Sequence, residues 1–129
     1  MNKIMIKDFL IIHCTGKNNS IGLKVDSNFF IQKIQIKTND NFVNILLDFL
    51  KTKKVKIDKD FSILVNVGPG SFSTLRTSIA VAKGIQIANK TKIYGYKDNH
   101  LSEFDLKNIE FLIKKNLIEN KLIKPVYIS

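Results

Sequence analysis

The chain has 129 residues, a single cysteine and a formal net charge of +10 at neutral pH. This length allows one domain with a real core, and a hydrophobic content of 44% with 25% charged residues is typical of a soluble globular protein. These values exclude an internal disulfide, and no apolar run approaches the roughly 20 residues that span a bilayer.

The N-terminus has no signal-peptide core and no small-residue cleavage site, so we expect a cytoplasmic protein.

The first half of the sequence predicts three strands followed by a helix. Apolar alternation and turn residues predict a meander of strands near 9–12, 21–25 and 30–36. Thr38, Asn39 and Asp40 offer capping side chains for a helix over about 41–53.

That first helix has an unusually wide apolar surface. Its apolar residues cover an arc of roughly 200°, whereas contact with one core needs little more than half of that. Two interpretations stay open at this point. The helix is wedged between the sheet and another local helix, or it offers a second apolar face to another protein.

The second half continues as strand, helix, strand and helix. These elements are predicted at about 61–67, 73–89, 92–96 and 106–116, with an extended tail at 124–129. The order β-β-β-α-β-α-β-α predicts an α/β layer fold with a central mixed sheet. Strands joined through a helix are expected to be parallel, because such crossovers are right-handed.

A glycine-rich loop lies between the strand at 61–67 and the following helix. Glycines there let backbone amides turn toward the helix N-terminus, which is a natural anion site, and Ser71 and Ser73 can cap exposed N–H groups. The same residues also suit a tight turn with close packing. The loop lacks a P-loop ending and the dinucleotide fingerprint. The candidate loop residues are Gly68, Pro69, Gly70, Ser71, Phe72 and Ser73.

The helix after this loop has small or apolar residues on nearly every side. Within residues 75–88 the only charged residues are Arg76 and Lys83, which lie within roughly 20° of each other on the helix wheel. A chain of this size would struggle to cover both this helix and the one at 41–53, so we predict a partner surface. Its candidate residues are Phe42, Ile45, Leu46, Phe49, Leu75, Arg76, Ile79, Ala82, Lys83 and Gln86.

The run GPGSFSTLR at 68–76, followed by AVAKG at 80–84, closely resembles the signature of the TsaB (YeaZ) family. The resemblance is specific over 61–96 and extends weakly over 9–96, and the Pro-Val-Tyr at 125–127 resembles a C-terminal family segment. It implies a single ASKHA domain (actin-like ATPase, ribonuclease H-like). Residues 1–98 form its core, and 99–129 form a remnant helix and C-terminal strand.

The resemblance also implies a function. Family members are non-catalytic subunits in tRNA threonylcarbamoyladenosine modification, and the glycoprotease label they carry comes from homology alone. They bind a TsaD-like catalytic partner through the two central helices. We therefore expect that partner, a TsaE-like ATPase as a further candidate, tRNA only indirectly, a homodimer when alone, and no cofactor or membrane.

Several positions depart from the family pattern. Cys14-Thr15 stands where the family has Asp-Thr, and Thr74 replaces a glycine. Asn41-Phe42 replaces a His-Ser/Thr pair at the first helix. Only about 30 residues follow the fifth strand, so we expect a shortened member without most of the family's second domain. The loss of the acidic residue weakens the case for nucleotide chemistry.

No catalytic or metal-binding set is assigned from the sequence. A metallopeptidase needs clustered ligands such as two histidines one helical turn apart, whereas His13 and His100 are isolated. Cys14 neighbours His13, but adjacent strand residues point to opposite faces, so we expect a buried or loop cysteine instead of a thiol–imidazole pair. Ser71 lacks a His/Asp relay.

Two alternatives to the scaffold remain. Of the 21 basic residues only Arg76 is arginine, so the charge suits non-specific attraction to RNA by a lysine-rich module. AT-rich codons account for the lysines equally well. The other alternative is a small nucleotide- or phosphate-binding domain that uses the loop at 68–73.

Overall fold

In a computed structural model the protein is described over residues 6–120 and 123–126. Five strands and three α-helices follow each other in the predicted order. The strands are β1 (Phe9–His13), β2 (Ser20–Val25), β3 (Asn28–Lys33), β4 (Ser62–Asn66) and β5 (Lys92–Tyr96). The helices are α1 (Asn39–Thr52), α2 (Phe72–Asn89) and α3 (Leu106–Lys114). None of the helices in these residues is long and apolar enough to cross a membrane.

The sheet is mixed, with the strand order β3-β2-β1-β4-β5. Short turns make β1, β2 and β3 antiparallel, whereas β4 and β5, each entered after a helix, run parallel to β1. Phe9, Ser62 and Lys92 lie side by side in this register. The starts of β1, β4 and β5 therefore share one side of the sheet, the amino edge, and their ends share the opposite side, the carboxyl edge.

Two apolar cores lie on opposite faces of the sheet. Alternate residues of β1 enter different cores, with Leu10 and Ile12 facing α1 and α2, and Phe9 and Ile11 facing α3. All four of these side chains are buried. A strand covered on both faces explains why the first apolar run is continuous rather than alternating.

Polar side chains begin the helices largely as predicted. The Thr38 hydroxyl accepts from the Asn41 N–H at 3.0 Å and caps α1, and Ser71 caps α2 by accepting from the Thr74 N–H at 3.4 Å. Ser73, the other predicted cap, lies inside the first turn of α2. Asp105 caps α3 in the same way.

The structure corrects three boundaries. β3 ends at Lys33 instead of continuing to 36, because the chain leaves the ladder and Ile34 turns into the core under α1. α3 ends at Lys114, with the left-handed backbone of Asn116 (φ 58°) closing it. Within the predicted tail strand, residues 124–126 are not a strand, although the Val126 N–H donates to the Val67 carbonyl at 2.6 Å. The remainder of that prediction, 127–129, lies outside the described residues.

Two glycines provide opposite tests of this packing. Gly68 has φ +105°, and a Cβ there would collide with the Val126 carbonyl oxygen and lie 2.9 Å from Leu75 Cδ1. A Cβ at Gly84 in α2 would meet nothing within 4 Å. We expect Gly68→Ala to lower the free energy of unfolding by about 1–3 kcal/mol. Gly84→Ala should raise it by about 0.5–1 kcal/mol, because alanine favours a helix interior.

Urea denaturation of both variants alongside the unmodified protein measures these changes. Shifts in the same direction for both glycines would contradict the described backbone of one of them.

Candidate functional site

The glycine loop packs directly against the segment that follows β1. A Cβ at Gly70 would lie 2.7 Å from the Thr15 Cβ, so no larger residue fits between the two backbones. The Ser71 N–H donates to the Thr15 carbonyl at 2.9 Å and fixes this contact. The Cys14-Thr15 pair therefore lies beside the glycine loop at the carboxyl edge.

The backbone amides of this loop are already bonded within the protein. The Gly68 N–H donates to Asn66 Oδ1 at 2.8 Å, and the Gly70 N–H donates to the Val126 carbonyl at 3.1 Å. Pro69 has no N–H, and that of Ser71 is bonded to Thr15. The predicted anion site is thus left without donors at 68–71, and the close-packing interpretation accounts for these glycines. Phe72 and Ser73, the remaining candidates, are the first residues of α2.

Cys14 is a core residue, as predicted. Its side chain is buried, its thiol lies 3.7 Å from the Ser20 carbonyl, and burial raises its pKa to about 12. The thiolate is therefore strongly disfavoured near neutral pH. Cys14 belongs to the core under α1 and α2, whereas the His13 ring stacks on Phe104 of the other core. The expectation that these neighbours do not pair is confirmed.

Four polar side chains meet at the carboxyl edge and form what we term the carboxyl-edge cluster: His13, Asn66, Tyr96 and Asp98. His13 Nδ1 lies 2.7 Å from the Tyr96 hydroxyl and 3.1 Å from Asn66 Nδ2. Asn66 Nδ2 also donates to Asp98 Oδ1 at 3.0 Å. Three of these residues end β1, β4 and β5, and the parallel register brings them together.

Burial keeps the two ring systems of the cluster uncharged. It raises the pKa of the Tyr96 phenol well above 10.0, so the hydroxyl stays protonated and can donate. Burial also lowers the pKa of His13 from 6.5, although the charge of Asp98 acts in the opposite direction. Because Tyr96 and Asn66 both donate toward His13 Nδ1, the geometry favours the tautomer with its proton on Nε2.

The cluster ties the strand ends to the glycine loop. Asn66 is fully buried and uses its amide hydrogens and its oxygen, the latter for the Gly68 N–H. The Asp98 N–H donates to the Gly68 carbonyl at 2.8 Å. Residues 6–120 and 123–126 contain no group of three or more His, Cys, Asp or Glu that could hold a metal ion. The arrangement positions the loop and leaves His13 Nδ1 no free lone pair.

Sequence analysis missed the cluster, although a signal was present. Asn66, Tyr96 and Asp98 come at or just after the ends of buried strands, where a polar residue follows an apolar run. Parallel strands place such residues at one edge of a sheet. Treating His13 as an isolated histidine overlooked these partners.

The predicted partner surface is mostly internal to the protein. The side chains of Phe42, Leu46, Phe49, Leu75, Ile79 and Ala82 are buried. They cover this protein's own core and cannot offer surface to a partner. Among the other candidates, Arg76 and Lys83 are exposed, and Ile45 and Gln86 are half-buried.

A narrower face of α2 remains uncovered. Ala80, Gly84 and Ile87 are exposed at helical spacing, and Ile87 has 80% of its surface accessible. Arg76 and Lys83 belong to the same α2 face, and Leu47 of α1 is 53% exposed. We term Arg76, Ala80, Lys83, Gly84 and Ile87 the α2 face.

The lowered pKa of His13 predicts how stability changes with pH. The unfolded chain binds a proton near pH 6.5, whereas the folded protein resists protonation until a lower pH. The stabilising contribution is therefore fully present above the ordinary pKa and is lost as the pH falls through the folded value. We expect His13→Gln, which keeps a hydrogen-bonding side chain, to flatten the decline in unfolding free energy between about pH 7 and pH 5. Urea titrations at several pH values measure this, and an unchanged slope would count against a neutral, buried imidazole.

Comparison with known proteins finds similar chains among solved structures. No protein-family model matches the chain, and no curated protein does so either. YeaZ from Pseudomonas aeruginosa matches with a TM-score of 0.64 and 18% identity, over 74% of this chain and 46% of that one. An uncharacterized protein with similarity to peptidase YEAZ, also from Pseudomonas aeruginosa, matches with a TM-score of 0.65 and 17% identity, over 74% and 45%. This chain thus covers less than half of either neighbour, and over that part it shares the α/β fold of these two structures.

Proposed function

We propose that this protein is a non-catalytic subunit that binds a TsaD-like catalytic protein in the threonylcarbamoyladenosine modification of tRNA in the cytoplasm. Two lines support the proposal. The residues at 68–76 and 80–84 resemble the TsaB signature, and the fold is that of YeaZ structures. The observation that carries it is Gly84, an exposed glycine in the interior of α2.

Gly84 has no function in the packing of this protein that the structure reveals. Glycine in a helix interior costs about 0.5–1 kcal/mol relative to alanine. A Cβ at this position would meet nothing within 4 Å, so no internal contact demands its absence. A residue without a side chain on an exposed helix face does allow the backbone of another helix to approach closely. Ala80, one turn earlier, extends this shallow strip.

Large and charged residues surround the strip in the way expected of an interface. Ile87 exposes 80% of its surface, which is the type of apolar anchor that a partner pocket can bury. Arg76, whose guanidinium lies 5.7 Å from the Phe72 ring centroid, and Lys83 supply positive charge to the α2 face. We therefore expect acidic residues on the partner surface that meets them.

The carboxyl-edge cluster supports the non-catalytic part of the proposal. A general base needs a free lone pair within reach of a substrate. His13 Nδ1 already accepts from Tyr96 and Asn66, and Cys14 is buried with a pKa of about 12. His13 is therefore better suited to holding the strand ends together than to reacting, and Cys14 is better suited to filling the core.

Gly84→Gln tests the partner surface. Glutamine favours a helix and faces open space, so the free protein should stay folded and become no less stable. Its side chain would hold a partner helix away, and we expect the Kd for the TsaD-like protein of the same organism to rise by about tenfold or more. Calorimetric titration or co-purification measures the complex, and thermal melting confirms the fold.

Ser27→Gln is the matched control, because it enlarges an exposed residue in the turn between β2 and β3, away from α2. It should leave the Kd unchanged. Equal binding by Gly84→Gln and the unmodified protein would move the interface off the α2 face. Absence of any complex with the unmodified, folded protein at micromolar concentrations would overturn the proposed function itself.

A further inference from the structure

The amino edge of the sheet gathers four segments that are distant in sequence. They are residues 6–8, 24–27, 51–61 and 90–92, which precede β1, end β2, precede β4 and precede β5. The register places Phe9 opposite both Lys24 and Ser62. Backbone bonds of 3.3 Å join Ser62 N–H to the Asp8 carbonyl and Lys92 N–H to the Phe61 carbonyl. These segments therefore form one continuous rim.

This rim is strongly basic. Its nine lysines are Lys7, Lys24, Lys51, Lys53, Lys54, Lys56, Lys59, Lys90 and Lys92. Its four acids are Asp8, Asp26, Asp58 and Asp60, which gives a formal charge of +5 over 21 residues. Seven of the lysines are exposed. Two carboxylates hold turns, since Asp8 Oδ1 accepts from the Asp26 N–H at 3.0 Å and Asp58 Oδ1 accepts from the Asp60 N–H at 2.9 Å.

Codon bias does not explain where this charge lies. The described segments of the opposite rim, 14–19, 33–40, 67–76, 97–105, 116–120 and 123–126, carry six basic and five acidic residues over 42 positions. An excess of lysine caused by codon bias alone would be distributed over both rims in proportion to their length. The amino edge instead has the larger net charge on the smaller number of residues.

We propose that the amino edge binds the phosphate backbone of folded RNA directly and without reading its sequence. The rim contains lysines and no arginine, so it offers point charges instead of the forked donors that read bases or clamp one phosphate. From β2 to β5 it crosses three strand spacings, or about 14 Å. That length spans about four phosphates along one strand of a duplex. The surface needs no protein partner and is separate from the proposed subunit role.

An RNA ligand fits this rim better than an anionic membrane does. Membrane-binding surfaces combine basic residues with exposed apolar side chains that enter the headgroup region. Here Val55, Ile57 and Phe61 pack into the core. Of the large apolar residues found exposed in the described part of the chain, none lies in the four segments.

Two variants of equal charge test the proposal. The test variant replaces Lys54, Lys56, Lys59 and Lys90 with glutamine, and the control replaces Lys17, Lys37, Lys97 and Lys107 with glutamine. All eight lysines are exposed, so both proteins should fold, as thermal melting can verify. The probe is an unmodified tRNA transcript, titrated by fluorescence anisotropy at several salt concentrations.

We expect the test variant to bind about tenfold or more weakly at low salt and to lose about three units of the slope of log K against log salt. The control should change the Kd by less than about threefold. Equal losses in the two variants would mean diffuse attraction and overturn a defined surface. So would failure of the unmodified protein to bind at about 100 μM and low salt.

Two further measurements separate this proposal from its alternatives. Vesicles containing phosphatidylserine should bind weakly, and binding as tight as that of RNA with the same lysine dependence would overturn the assignment to RNA. Gly84→Gln should bind the transcript as the unmodified protein does. Failure of the partner complex and failure of RNA binding are therefore distinguishable.

Discussion

The fold depends on a strand that is covered on both faces. In β1, the residues from Phe9 to Ile12 are all buried, with alternate side chains committed to different cores. A sheet with this strand in its interior needs helices above and below, and it obtains β4 and β5 through helical crossovers. Right-handed crossovers make these strands parallel to β1. That shared direction separates the amino edge from the carboxyl edge and so decides which distant residues become neighbours.

Sequence reasoning predicted the element order because each element has its own local signal. Continuous apolar runs marked β1 and β4. The capping candidates at 38–40 and at Ser71 and Ser73 put the predicted starts of α1 and α2 within two residues of those observed. The carboxyl-edge cluster has no such local signal. Asn66 bonds to His13 across 53 positions and to Asp98 across 32, so only the strand pairing brings them together. Because strand pairing brings these positions together, polar residues that end parallel strands should be considered together as one set.

Most of the side chains predicted for the partner surface are buried in the core of this protein. The apolar width of α1 allowed either a face for a partner or a helix wedged among local neighbours. Phe42, Leu46 and Phe49 all face the core, and only Leu47 among its large apolar residues is well exposed. α1 and α2 share one core, which is closer to the interpretation of a helix wedged among local neighbours. Apart from Phe72 and Ile87, the residues that α2 leaves exposed are small, polar or charged. Hydrophobic periodicity indicates which side chains a helix can bury, whereas an exposed glycine indicates how closely another backbone can approach the helix.

The two proposed surfaces meet at the end of α2. This helix begins at the carboxyl edge after β4 and ends at the amino edge before β5, so its last turn carries Ile87 toward the lysine rim. Lys90 follows in a left-handed conformation with φ 55° and turns the chain into β5. A protein helix seated over Gly84 and an RNA backbone on the amino edge would therefore be neighbours. Under the two proposals together, this protein would hold the RNA beside the partner that acts on it.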